Sequence, residues 1–256
     1  MPNTRLPHPY RRAMTAALIV ALGCAMKQSV AFGLDEMYSP NVEYRELALE
    51  YNGSRSFDPR PTVGGAQTGE VTLEAGLTPR LAMEINSQYS REPGNALQLF
   101  AHEIEARYQF VESGEYWLDA GVLVAYDFPT RSNSPSSLEV KLLLQKDVGR
   151  FTHTANIGFT QNVGKYSGNN GGADYLFIWN TRYRYSTYFQ PGIEIQSDLG
   201  QGSPLGHANE QEHYIGPTVS GKLFGHVKYQ AAYFVGVTSA AARNAARFLV
   251  EYETHF

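Results

Sequence analysis

The residues best placed to do chemistry are charged side chains set at alternate positions in otherwise apolar stretches. Glu103, Glu105 and Arg107 recur at every second residue, as do Arg182 and Arg184, and Glu251 and Glu253 near the chain end. Lys141 and Glu194 hold the same phase in their own stretches. Charges spaced by two along an extended chain share one face, so these groups meet in a common polar interior or on a common wet surface. There they can pair with one another, or attract and orient a small ionic solute. Arg107, Arg182 and Arg184 are expected to face Glu103, Glu105 and Glu194, because clustered bases among so many acids must either pair or bind an anion.

No catalytic centre can be assembled from the remaining residues. His153 is followed by Thr154, Ala155 and Asn156, with no serine at nucleophile spacing and no third group to orient a base. The His-x-Ser-Asn-Gly motif of outer-membrane phospholipase A is missing, so the expectation is a non-enzyme. His207, Glu210, Glu212 and His213 lie close in sequence, but within a stretch rich in Gly, Ser and Asn. That composition reads as a solvated loop, not as three or four donors in fixed geometry, and neither a metal nor a cofactor is expected. The run Gly168-Asn169-Asn170-Gly171-Gly172 has no Lys-Ser/Thr after it and reads as an external loop instead of a phosphate loop. A net charge of -4 gives no argument for nucleic acid as a partner.

The elements that carry these charges are strands. From Asn41 onward the apolar positions repeat with period two, in twelve segments: 42–52, 69–78, 80–90, 96–110, 115–128, 138–148, 150–163, 174–185, 188–198, 213–223, 226–238 and 246–256. Tyr116, Leu118, Ala120, Val122, Val124, Tyr126 and Phe128 line one face of the fifth, with Asp119 and Asp127 on the other. The segments mostly reach the roughly 9 to 11 residues that a tilted strand needs to cross a bilayer, whereas soluble strands cluster near 5 or 6. Aromatics gather toward the segment ends, where interfacial girdles lie in membrane barrels. Five of six odd-numbered connections exceed every even-numbered one. Short periplasmic turns and long external loops are the habit of outer-membrane barrels, and an even strand number puts both chain ends on one side.

An open sheet cannot sit in hydrocarbon, because its edge amides would go unpaired, so the last strand must meet the first. The expected fold is therefore all-β: a closed, antiparallel, up-and-down transmembrane barrel of about 12 strands. With apolar faces turned to lipid, the inward set comprises fifteen acids and six bases: Arg107, Lys141, Arg182, Arg184, Lys222 and Lys228. That predicts a net acidic lumen, favourable to cations. The alternative is a filled, non-conducting structural barrel that displays its external loops to a partner, since cross-barrel ion pairs can close a narrow lumen.

The first residues read as a secretory signal, with Arg5, Arg11 and Arg12 ahead of an apolar run from Ala13 to Met26 and small residues at Ser29-Val30-Ala31. The run is shorter than the roughly 20 residues of a membrane-spanning helix. A signal peptide is expected over 1–33, cut after Ala31 or Gly33, and a barrel over 34–256. Cys24, the single cysteine, lies inside the signal, so the mature chain can form no internal disulfide.

The final strand places Phe248, Val250, Tyr252 and Phe256 on one face. It resembles the C-terminal signature of bacterial outer-membrane barrels, a terminal Phe after alternating apolar residues, although Thr254 departs from it. That resemblance implies an assembly signal read by the barrel-assembly machinery. Val42-Glu43-Tyr44-Arg45-Glu46-Leu47, the segment from Gly114 to Gly121 and the segment from Lys146 to Asn156 resemble a family of proteobacterial outer-membrane barrels. That family lies near the phenol-degradation (meta-pathway) outer-membrane transport proteins. The resemblance implies a barrel in the bacterial outer membrane, outer-membrane lipid around it and a small-molecule solute as partner, and it supplies no catalytic residues.

Overall fold

The structure, a computed structural model, describes residues 33–168, 172–202 and 205–256. The expected signal peptide therefore lies outside the described residues except for Gly33, as does the middle of the Gly168–Gly172 run.

Twelve strands follow one another along the chain: β1 (Glu46–Phe57), β2 (Gln67–Thr78), β3 (Leu81–Arg91), β4 (Gln98–Gln109), β5 (Asp119–Pro129) and β6 (Ser136–Val148), then β7 (Phe151–Val163), β8 (Asp174–Tyr183), β9 (Gln190–Gln201), β10 (Glu212–Leu223), β11 (Val227–Gly236) and β12 (Asn244–His255). Each pairs antiparallel with its sequence neighbours, and β12 returns to β1 to close the barrel. The closing ladder is unbroken from Glu46 opposite His255 to Phe57 opposite Asn244. No strand edge is left open, as hydrocarbon surroundings demand.

Polarity runs opposite to that of a soluble protein. Glu46, Glu84, Glu103, Glu105, Lys141, Glu194, Arg247 and Glu253 are buried, whereas Leu47, Leu49, Leu73, Ile85, Ile104 and Ile157 are exposed. Charged side chains are the last to be buried in a protein with an apolar core. Here the apolar phase of every strand faces outward and the charged phase faces in, which is the transmembrane-barrel arrangement.

Both chain directions meet at one rim. We call it the turn end, because β2–β3 and β6–β7 are joined there by two-residue turns at 79–80 and 149–150. Gly149 adopts φ 59°, a left-handed backbone that a side chain would strain. Phe256 also lies at this rim, its amide donating to Arg45 O at 3.1 Å, with the Arg45 guanidinium over its ring.

Two expectations need correction. The fifth strand does not begin at 115 but at Asp119, and the connection before it runs over 110–118, as long as the 58–66 connection at the other rim. Asp119 is the reason: its carboxylate accepts the Gly114 amide at 2.7 Å and the Ser113 hydroxyl at 3.3 Å, and Gly114 sits at φ 76°. These bonds close a turn that takes Tyr116 and Trp117 off the ladder and leaves them exposed. The first strand likewise runs over Glu46–Phe57 instead of 42–52, because Arg45 takes φ 66° and the Glu46 amide turns back to Glu43 O at 3.2 Å. The contrast between long and short connections is accordingly weaker than the sequence suggested.

Candidate functional site

The interior is not an empty tube. Residues 34–40 enter from the turn end and lie inside the barrel, held by carboxamide side chains that act as a strand neighbour would. Asn156 accepts the Tyr38 amide at 2.8 Å and donates to Tyr38 O at 2.9 Å. Gln196 does the same for Asp35, at 3.1 and 2.8 Å. Gln109 accepts the Val42 amide at 2.8 Å where the segment leaves the lumen.

Two apolar pads on the polar wall receive its side chains. Tyr38 packs with Leu123, Ala125 and Leu143, and Leu34 with Tyr214, Ala232, Phe234 and alanines of 241–245. Lys141 Nζ stands 5.1 Å from the Tyr38 ring centre, and the Tyr38 hydroxyl donates to Glu105 Oε1 at 3.4 Å. Pro40 lies against Gly121, where a Cβ would stand 3.2 Å from the proline Cβ.

A cavity remains at each end of this segment. The one toward the long connections, about 270 Å³, is lined by Asp35, Glu70, Glu103, Glu105, Glu139 and Lys141 among others. The one toward the turn end, about 520 Å³, includes Glu74, Arg107, Arg182, Arg184, Lys222, Lys228 and Glu251 in its wall.

The charged residues picked out by spacing are all placed, but their partners differ from those expected. Arg107 pairs with Glu74, and with Glu84 at 3.5 Å. Glu103 and Glu105 instead accept the Asn86 amide, at 2.9 and 2.5 Å. Arg184 pairs with Asp147. Arg182 forms no ion pair among the described residues, and its Nε has no partner. Lys141 bridges Glu139 at 3.1 Å and Asp35 at 3.5 Å. Glu251 and Glu253 surround Lys228, at 3.0 and 2.6 Å, beside a Lys222–Glu253 pair. The expectation that Arg107, Arg182 and Arg184 would face Glu103, Glu105 and Glu194 is thus corrected. Glu103 and Glu105 lie on the same strand as Arg107, which reaches instead across β3 to Glu74 on β2, and Arg184 reaches across β7 to Asp147 on β6.

Glu194 is bound by a base that spacing had overlooked, Arg247, at 2.9 Å with both side chains almost fully buried. Arg247 also donates to Asp35 O, so it ties wall to segment. It stands in the inward phase with Glu251 and Glu253, which is the signal that would have found it. Leu123, Leu143 and Phe234 carried a second signal: large apolar residues in a polar phase mark where something apolar docks.

At the far rim, Asp58 accepts Arg60 through both oxygens at 2.8 Å and the Arg243 amide at 2.7 Å. Arg60 in turn donates to Ser239 O and Ala241 O, stitching the connections on either side of the closing seam. The Arg60 guanidinium holds the Asp58 carboxyl well below the usual aspartate range. His213 Nε2 lies 3.1 Å from Gln211 Oε1 and Glu212 accepts the Tyr214 hydroxyl at 2.8 Å. With His207 and Glu210 they form no metal-ligating group among the described residues.

Closed strand order and reversed polarity define a porin-like β-barrel of the bacterial outer membrane. No family model matches the chain, and no curated protein matches it. Among solved structures, an outer-membrane channel from Pseudomonas putida F1 is 12% identical, with a TM-score of 0.63, covering 88% of this chain and 100% of that one. The NanC porin, 11% identical, has a TM-score of 0.56 over 80% of this chain and 98% of that one. The KdgM porin, 10% identical, gives 0.55 over 81% and 99%. At these identities the likeness is one of fold.

Proposed function

We propose that the barrel is a passive channel for small solutes, with a net acidic lumen that favours cations and an internal segment, 34–40, that narrows it. The carrying observation is that segment. It is held by two reciprocal carboxamide pairs and two buried side chains, with a cavity at either end. Each hydrogen bond contributes on the order of 1 kcal/mol net, and each buried side chain about 2–3 kcal/mol. Contacts of that size can be released without opening a single strand pair. Asp35 and Glu36 add acids to the inward set and Arg247 adds one base, so the excess of acid stands.

The second reading, a filled structural barrel displaying its loops, draws support from the close fit of Pro40 on Gly121. Planar-bilayer recording separates the two. The mature chain should pass a small cation-selective current, and a variant lacking 34–40 a several-fold larger one. Absence of current from both would favour the structural barrel. The resemblance to meta-pathway transport proteins makes small aromatic metabolites the first solutes to offer.

A further inference from the structure

The bases of the turn-end cavity are not equally engaged. Lys228 lies 3.0 Å from Glu251 and 3.2 Å from Glu46, Lys222 pairs with Glu253, and Arg107 holds Glu74 and Glu84. Arg182 stands on β8, on the far side of the ring from β1 and β2, and has no such partner. Among the described residues its guanidinium makes neither an ion pair nor a hydrogen bond. Nε is sealed off, but the two terminal nitrogens keep accessible surface, and the side chain lines the cavity of about 520 Å³. The one carboxylate near enough to act on its charge among the described residues, Asp147, is already claimed by Arg184.

The inward positions on the strands beside Arg182 are neutral. Gly192 stands opposite it on β9 and carries no side chain, and the Thr218 hydroxyl takes up that room, 2.8 Å from where a Cβ would be. Thr218 accepts from Asn180 Nδ2 at 3.3 Å, which leaves its own hydrogen free to donate. Gln190 and Ser220 face each other across β9 and β10 in the inward phase of Gly192 and Thr218. Neither side chain makes a hydrogen bond among the described residues. All three line the cavity with Arg182. We infer that Arg182, Gln190, Thr218 and Ser220 form a docking site for a small monocarboxylate. The terminal N–H groups of a guanidinium match the two oxygens of a carboxylate, and its one positive charge balances one negative. The neutral side chains add donors to the same oxygens, and no acid stands among them to compete. Met37, Tyr229 and Leu249 in the wall of the same cavity offer contact to an apolar body. The inference stands apart from permeation, since a barrel that passes no current would bind the anion equally well.

The test is a fluorine NMR titration of para-fluorobenzoate into the purified, detergent-folded barrel. Saturable line broadening is expected, reversed by unlabelled benzoate and absent with para-fluorobenzamide. Binding should be roughly tenfold weaker in Arg182→Gln, the size of loss that goes with a hydrogen-bonded charge, and unchanged in Arg184→Gln. Arg182→Lys keeps the charge without the fork and should recover part of the affinity. Folding of each variant is checked by heat-dependent gel mobility. If Arg182→Gln does not fold, Gln190→Ala/Ser220→Ala serves, with a several-fold loss expected. No saturable binding, equal binding of the benzamide, or binding that survives Arg182→Gln would each overturn the assignment. Competition by inorganic phosphate as strong as that by benzoate would overturn it too.

Discussion

Among the described residues Arg182 is an inward base with no ion-paired acid, and that isolation sets what its removal should do. Arg182→Ala should make the conducting barrel more cation-selective, read as a larger reversal potential in a salt gradient. Arg184→Ala should do less, because the Arg184–Asp147 pair is partly exposed at the turn end, where water and salt screen the charge it leaves. The Glu194–Arg247 pair is the opposite case. Truncating either partner strands a buried charge, which costs about 3–5 kcal/mol, and the double replacement should cost less than the two single ones together. Denaturant midpoints in detergent measure both. Asp58 gives a pH dependence with a definite sign. Its native carboxyl titrates below its unfolded value of roughly 3.9, so the seam's stabilisation is complete above that value and fades as pH falls through the lower native one. A carboxyl chemical-shift titration should find the depressed midpoint, and Arg60→Ala should restore the ordinary one.

At the scale of elements, strand existence was legible because period-two alternation is a strong signal, and all twelve segments have their counterparts. Boundaries were not. In 115–128 the apolar phase of Tyr116 and Leu118 continues smoothly into Ala120, while the turn chemistry of Ser113, Gly114 and Asp119 wins locally. The misplaced residues have their own consequence. Trp117 now projects from a turn at one rim, and Trp179 lies midway along β8 on the outward face. In Trp179→Phe, the remaining Trp117 fluorescence should be quenched by headgroup-level quenchers and little by deep acyl-chain bromines, with the reverse for Trp117→Phe. Equal depths would contradict this placement.

For the whole molecule, the sequence disclosed the wall and hid its contents. Leu34 to Pro40 precedes the first period-two segment and has no periodicity of its own, so nothing local marks it as a lumen resident. What places it lies elsewhere in the chain, in Asn156, Gln196, Leu123, Leu143 and Phe234, each of which is unremarkable alone. Glu103 and Glu105 were legible as inward charges, but their partners depend on which strands lie adjacent, and spacing along one strand does not carry that information.

The internal segment is joined to β1 at the turn end and points its other end toward the long connections. With the chain cut at the expected signal site, we expect a bolt in a ring, not a knot, able to slide out past Glu43 with every ladder bond intact. A bolt, however, admits only what is as slim as itself. A folded domain fused ahead of Gly33 could not follow the chain into the barrel, so it would hold 34–40 outside and leave the ring unbolted. Such a fusion should conduct like the variant lacking the segment, and proteolytic release of the domain should restore the smaller current.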